Sequence, residues 1–146
     1  MRLYLDLCCF NRPYDDQSQT RIRLETQAKL VLQQKIRDLT YELLWSSTLD
    51  FENTQNPFEE YRHAIGQWRG LASAVVRADA QVVNLARQAM VFGVGEYDAL
   101  HLASAIVGNA DIFVTTDDKL VKRARQFGKI KAVFPVEAVA FLEGWY

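Results

Sequence analysis

Cysteine is too scarce in this chain, and too poorly spaced, to staple the fold: Cys8 and Cys9 are the only two, and they are neighbours in an apolar run. That arrangement excludes a secreted disulfide framework and a cysteine-based metal site. It fits buried, inert thiols in a reducing compartment. Proline is sparse as well, with three in 146 residues, and no proline-rich linker, internal repeat or low-complexity segment divides the chain. Long apolar runs are missing. The opening "MRLYLDLCCF" is short, is broken by Asp6, and reads as neither a signal peptide nor a membrane span. An excess of charge of one sign is missing too. Seventeen Lys and Arg against eighteen Asp and Glu give a formal net charge of −1. A uniformly cationic nucleic-acid binder is thereby excluded, although a local basic surface beside an acidic pocket is not. The expectation is a soluble cytoplasmic protein without a membrane partner, one domain over residues 1–146 with enough chain to bury a core.

What the chain does contain is an alternation of strand-like and helix-like segments. "RLYLDL" is apolar and bounded by the turn-like "NRPYDD", which predicts a first strand. "RIRLETQAKLVLQQKIRDL" repeats apolar residues at helical spacing. "TYELLWSS" predicts a second strand and "TLDFENTQN" a short helix stopped at Asn56-Pro57. "PFEEYRHAIGQWRGLA" predicts a helix with Pro57 as its first residue, and "SAVVRA" a short edge strand. Helices follow in "DAQVVNLARQAMVFG" and in the more apolar "EYDALHLASAIVGNA". "DIFVTT" is a strand, "DKLVKRARQFG" a helix ending at Gly128, "IKAVFP" a strand and "VEAVAFLEG" a last helix. Such alternation predicts an α/β fold of three layers, α/β/α, around a mostly parallel sheet of four to five strands.

In sheets of this kind the working site lies beyond the carboxyl ends of the strands. Acidic residues collect there. Asp6 is near the end of the first strand, Asp117 ends "IFVTT", Asp98 opens "YDALHLASA", and Glu52 lies on the short helix after the second strand, six residues past Ser46. Carboxylates gathered at one rim repel one another and raise each other's pKa. A divalent cation relieves that repulsion, and oxygen ligands suit Mg²⁺ or Mn²⁺. The neighbour Asp118 complicates the turn, because one carboxylate of the pair is expected to cap the following helix. Asp117 is assigned to the site and Asp118 to the cap or the site's edge.

The same residues carry a resemblance. "YLDLCCFNRP", "SSTLDFEN", "YDALHLASA" and "VTTDDKL" look like the four acidic motifs of the PIN-domain nucleases, in the same order and over essentially the whole chain. The compact form resembles the VapC-like toxins of prokaryotic toxin–antitoxin pairs. Cys8 stands where those nucleases often have Asn, Ser or Thr. The resemblance implies a PIN-like fold and a Mg²⁺- or Mn²⁺-dependent endoribonuclease. It makes Asp6, Glu52, Asp98 and Asp117 the catalytic acids, with Asp6, Asp98 and Asp117 on the metal and Glu52 helping or orienting water. Thr115 is then the hydroxyl that orients the last carboxylate. RNA is the implied substrate, a small antitoxin an implied partner and a homodimer the implied assembly, with the face around "AKLVLQQKI" open either to dimerisation or to the core. Asn11, Arg12 and Lys119 are candidate RNA contacts, with Arg21 and Arg23 also near the rim.

Other residues read more plainly. His101 is expected to be a satisfied helix histidine rather than a ligand contact, and His63 a surface residue. Trp45 and Trp68 are expected in the core rather than under a base. A haloacid-dehalogenase-type hydrolase wants an acid two residues after Asp6, where Cys8 sits, and a response-regulator receiver wants a late strand-end Lys that this order lacks. The main rival is a PIN-like module that binds RNA or protein without cutting.

Overall fold

A computed structural model describes residues 1–145. Its strands follow the buried apolar runs: β1 Arg2–Leu5, β2 Glu42–Ser46, β3 Ala74–Val76, β4 Ile112–Val114 and β5 Lys131–Val133. All five pair in parallel, in the order β3-β2-β1-β4-β5. The helices are α1 Leu7–Asn11, α2 Thr20–Arg37, α3 Ser47–Asn53, α4 Glu59–Gly66, α5 Ala80–Met90, α6 Glu96–Val107, α7 Asp118–Phe127 and α8 Pro135–Leu142. Helices α5 and α6 pack together on one face, with α6 over β2, β3 and β4, while α2 and α8 pack together on the other. The expected three-layer α/β/α arrangement is therefore present. No helix among the described residues is long and apolar enough to cross a membrane.

The central strands are covered on both faces, so their side chains are apolar at consecutive positions. Leu3, Tyr4, Leu5, Leu43, Leu44, Trp45, Ile112, Phe113 and Val114 are completely buried. Register brings the strand ends level: Leu5 pairs with Val114, and Tyr4 with Leu44. Asp6, Ser46 and Thr115 consequently leave the sheet at one edge and at the same height.

Two local expectations are corrected. "NRPYDD" is not a simple turn after β1; the chain runs directly into α1, followed by a 3-10 turn over Arg12–Tyr14. Burial of Leu7, Cys9 and Phe10 holds this short helix, and Asp6 caps it by accepting from the Leu7 amide. Pro57 does not open α4, which starts at Glu59 after an extended Phe58 whose amide donates to Asn56 Oδ1. Gly128 does end α7, in the left-handed conformation (φ 73°) that glycine adopts without penalty.

Gly108, just beyond α6, marks a close approach between the helix end and the sheet. A Cβ there would collide with the Leu44 side chain and stand 2.8 Å from Val76 Cγ2. Gly108→Ala is expected to destabilise the fold by about 1–3 kcal/mol through overpacking. In a thermal melt this lowers the midpoint by roughly 3–10 °C; an unchanged midpoint would show that α6 can lift from β2 and β3 freely.

Candidate metal centre

Asp6 is 5% exposed at the end of β1. Its Oδ1 accepts from the Leu7 amide at 2.9 Å, and its Oδ2 accepts from Thr115 Oγ1 at 2.9 Å. The Cys8 thiol donates more weakly to the same Oδ2 at 3.5 Å and also contacts Thr115 Oγ1 at 3.4 Å. Cys8 thus occupies a position from which a side chain supports Asp6. Thr115 is wholly buried and serves the first carboxylate rather than the last, while its Oγ1 accepts from the Asp117 amide at 3.2 Å.

Glu52 arrives from the next segment. Ser46 caps α3 by accepting from the Leu49 amide, which fixes the helix that carries Glu52, half-buried, toward Asp6. Between the two acids stands His101, on α6. Its Nε2 lies 3.1 Å from Glu52 Oε2 and 3.8 Å from Asp6 Oδ1, and its Nδ1 is 2.6 Å from the Tyr4 hydroxyl. Tyr4 in turn shares a 2.6 Å hydrogen bond with Ser46 Oγ. The imidazole is a completely buried member of the acid cluster, held at both nitrogens. The expectation of a satisfied helix histidine fits this burial and bonding but did not foresee the partners: in sequence, a histidine in "ALHLASA" looks the same whether its nitrogens meet carbonyls or acids.

Asp98 lies half-buried in the first turn of α6, one turn before His101, and Gly95 rather than Asp98 takes the N-cap position. Burial and the nearby charge of Asp6 raise its carboxyl to about 6, with Asp117 and Glu52 adding to the rise and His101 opposing it. Burial opposes charge on His101, yet the hydrogen bond to Glu52 and the charges of Asp6, Glu52 and Asp98 outweigh it, and its pKa is raised. The four acids therefore sense one another across the rim. They are not equally close: the donor atoms of Asp6, Glu52 and His101 lie within 4.8 Å of one another, a group to which Asp98 and Asp117 do not belong. The tight set thus differs from the expected metal set of Asp6, Asp98 and Asp117.

Asp117 and Asp118 divide their work differently from the expectation. Asp117 caps α7, its Oδ1 accepting from the Lys119 and Leu120 amides, while its neighbour does not cap. Asp118 is exposed and accepts both guanidinium nitrogens of Arg21, which holds it below the usual carboxylate range. Arg12 is likewise occupied, by Asp15 and the buried Glu25. Asn11 and Lys119 stay accessible to a ligand, Asn11 along a cleft of about 400 Å³ that begins at Glu52. Tyr14, Phe58 and Tyr61 form one wall of that cleft; Tyr14 and Tyr61 are stacked at 3.9 Å, and Phe58 is 61% exposed.

The donor set fits a divalent cation. It offers carboxylate oxygens from Asp6 and Glu52, with the His101 imidazole beside them, and oxygen ligands suit Mg²⁺ or Mn²⁺. The Asp98 carboxyl is raised first by burial and then by the charge of Asp6, and the neighbouring His101 imidazole, itself raised, opposes that rise.

Fold and site together define an α/β protein of PIN-like architecture with a candidate cation site at the carboxyl edge of its sheet. Solved structures share that fold. The chain resembles VapBC2 from Rickettsia felis, determined bound to a DNA fragment from their promoter, with a TM-score of 0.57 and 13% identity over 92% of this chain and 98% of that one. It also resembles the DNA-bound VapBC from Salmonella typhimurium, with a TM-score of 0.53 and 15% identity over the same shares. No family model matches the sequence, and no curated protein does.

The two raised pKa values set a pH dependence. A raised folded-state pKa means that stability is present in full below the unfolded value and is lost as pH rises through the folded one. For Asp98 the window runs from 3.8 to about 6, and His101 loses its share above its ordinary 6.5. In EDTA, the melting temperature is expected to fall as pH rises from about 5 to about 8, and Asp98→Asn is expected to flatten that slope. A slope equally steep in the variant would remove Asp98 from the titration.

Proposed function

We propose that this protein is a Mg²⁺- or Mn²⁺-dependent endoribonuclease of the PIN-domain type, the toxin member of a VapC-like toxin–antitoxin pair. The observation that carries the reading is the convergence of Asp6, Glu52 and His101 on one point of a PIN-like sheet edge, with Asp98 and Asp117 around it. Asp6 and Asp98 would hold the cation, with Glu52 beside them. When bound, the cation supplies Lewis acidity to a phosphate oxygen and lowers the pKa of the attacking water.

The chain's own residues supply the rest. Thr115 and the Leu7 amide fix the Asp6 carboxylate in one orientation, so no reorganisation is needed when substrate arrives. Glu52 keeps Oε2 on His101 and leaves Oε1 to orient the water for in-line attack. His101 holds a proton at Nε2 against Glu52, and Tyr4 prevents the ring from turning. No covalent intermediate on the protein is needed. The aromatic cleft beside Glu52 favours single-stranded or looped RNA, whose unpaired bases can stack on Phe58 and Tyr61 while the backbone enters the acids. Asn11 and Lys119 contact that strand. A small antitoxin and a second copy of the chain are the proposed protein partners; Leu30 and Val31 of α2 are half exposed and available to such an interface. The proposed location is the cytoplasm.

The test is cleavage of a mixed-sequence single-stranded RNA in Mn²⁺, Mg²⁺ or EDTA. Native protein is expected to cut only with metal, and Asp6→Asn and Asp98→Asn to be silent although folded. Equal cutting by native and variant proteins, or cutting in EDTA, would sink the proposal. Within that assay, Thr115→Val is expected to lose about 10- to 100-fold, the usual cost of removing a residue that orients a ligand. Phe58→Ala is expected to raise KM by roughly 5-fold or more with kcat little changed.

A further inference from the structure

A second cavity, of about 350 Å³, opens between α2 and the segment of α4 that continues into the Gln67–Leu71 turn. Lys29, Gln33 and Arg37 line it from successive turns of α2, where a spacing of four residues places side chains in one row. Lys29 is 5% exposed, and its ammonium has no hydrogen bond or salt bridge among the described residues; the nearest partner is the face of Phe10, 5.7 Å from the ring centre. Gln33 is 3% exposed, and its Nε2 likewise has no partner among the described residues. The Arg37 guanidinium lies over Trp68 at 4.7 Å. Phe10, Ile65, Trp68 and Leu71 supply apolar walls, and no Asp or Glu among the described residues lines the space.

A buried ammonium without a counter-charge is unfavourable, and so is a buried amide N–H without an acceptor. Burial draws Lys29 down to about 8, with Cys9 opposing that shift and Arg37 reinforcing it, so the group still carries its charge at neutral pH. Two cations and a free amide donor converge where no acid answers them. One carboxylate would leave half of that charge unmet, whereas a phosphate monoester carries about −1.5 to −2 and offers several acceptor oxygens.

We infer that this cavity is a binding site for a phosphate monoester, held by Lys29, Gln33 and Arg37 against the Trp68 and Phe10 rings. Its ligand is either a free phosphate compound or the terminal phosphate of an RNA strand. The second source rests on the nuclease reading, and Tyr14 supports the connection because it lines both this cavity and the cleft that starts at Glu52.

The test measures ligand-induced shifts in melting temperature at constant ionic strength in EDTA, which keeps metal at the acids from contributing. The probes are inorganic phosphate, a 5′-phosphorylated tetranucleotide RNA, its 5′-hydroxyl counterpart, and a glutamate-containing tripeptide with blocked ends. Lys29→Met keeps the volume of the side chain and removes a buried charge, so it is expected to fold; Arg37→Met, at an exposed position, is the second variant. Phosphate is expected to stabilise the native protein, with affinity weakened about 10-fold or more in each variant. Tighter binding of the phosphorylated RNA than of the hydroxyl form assigns the site to a strand end. Equal binding of the two RNAs, with inorganic phosphate still sensitive to Lys29, assigns it to a free phosphate compound. No shift with phosphate, a shift equal in native and variant proteins, or a shift with the peptide alone overturns the inference. Because no cutting is measured, a failed nuclease reading leaves this result intact, and the reverse also holds.

Discussion

Negative charges brought together with little water around them repel, and much of this structure is arranged to bear that repulsion. Asp6 is almost sealed from solvent, with Asp98, Asp117 and Glu52 close enough for their charges to act on the same rim. A carboxylate in that position needs donors. It receives the Leu7 amide from the helix that follows it and the Thr115 hydroxyl from the neighbouring strand. The first follows from the chain entering α1 directly after β1, and the second from the place of β1 beside β4. His101 hydrogen-bonds Glu52 inside the cluster, and the Tyr4–Ser46 pair holds its other nitrogen.

This arrangement separates two tasks that nearby residues perform. The inner group of Asp6, Glu52 and His101 is rigid, buried and hydrogen-bonded. The outer carboxylates are each tied to a helix: Asp98 lies in the first turn of α6, and Asp117 caps α7. Negative charge near a helix N-terminus is favourable, so the fold lowers the cost of keeping these acids at the rim without spending a cation on them. Basic residues nearby are already engaged, Arg12 by Asp15 and Glu25 and Arg21 by Asp118. Lys29 and Arg37 of α2, by contrast, line a cavity with no carboxylate among its described lining residues.

Much of this was legible in the residues. Continuous apolar runs such as "RLYL" and "IFV" mark strands covered on both faces, and their alternation with amphipathic helices implied the parallel sheet and the edge at which acids collect. The parts that were not legible depend on long-range contacts. Helix α1 is too short for a periodic pattern, and Asn11 and Pro13 read as turn residues; tertiary burial of Leu7 and Phe10 is what makes it helical. The division between Asp117 and Asp118 turns on which side chain faces Arg21, a residue 97 positions from Asp118. Thr115 was legible as a supporting hydroxyl, but its carboxylate partner was not. Lys29 looks like any solvated helix lysine until the α4 segment closes over it.

The cluster also has a temporal meaning, because its parts are so scattered along the chain. Asp6 and its Thr115 support are 109 residues apart, and Glu52 and His101 are separated by 49. No early portion of the chain contains the assembled constellation; β4 must insert beside β1 before Asp6 acquires the hydroxyl that orients it. Contacts of such sequence separation form late, after the cost of closing long loops has been met. During synthesis, the nascent chain therefore presents separate acids and no organised centre until most of it has left the ribosome. Whatever chemistry the folded molecule performs is withheld from its own translation by topology alone.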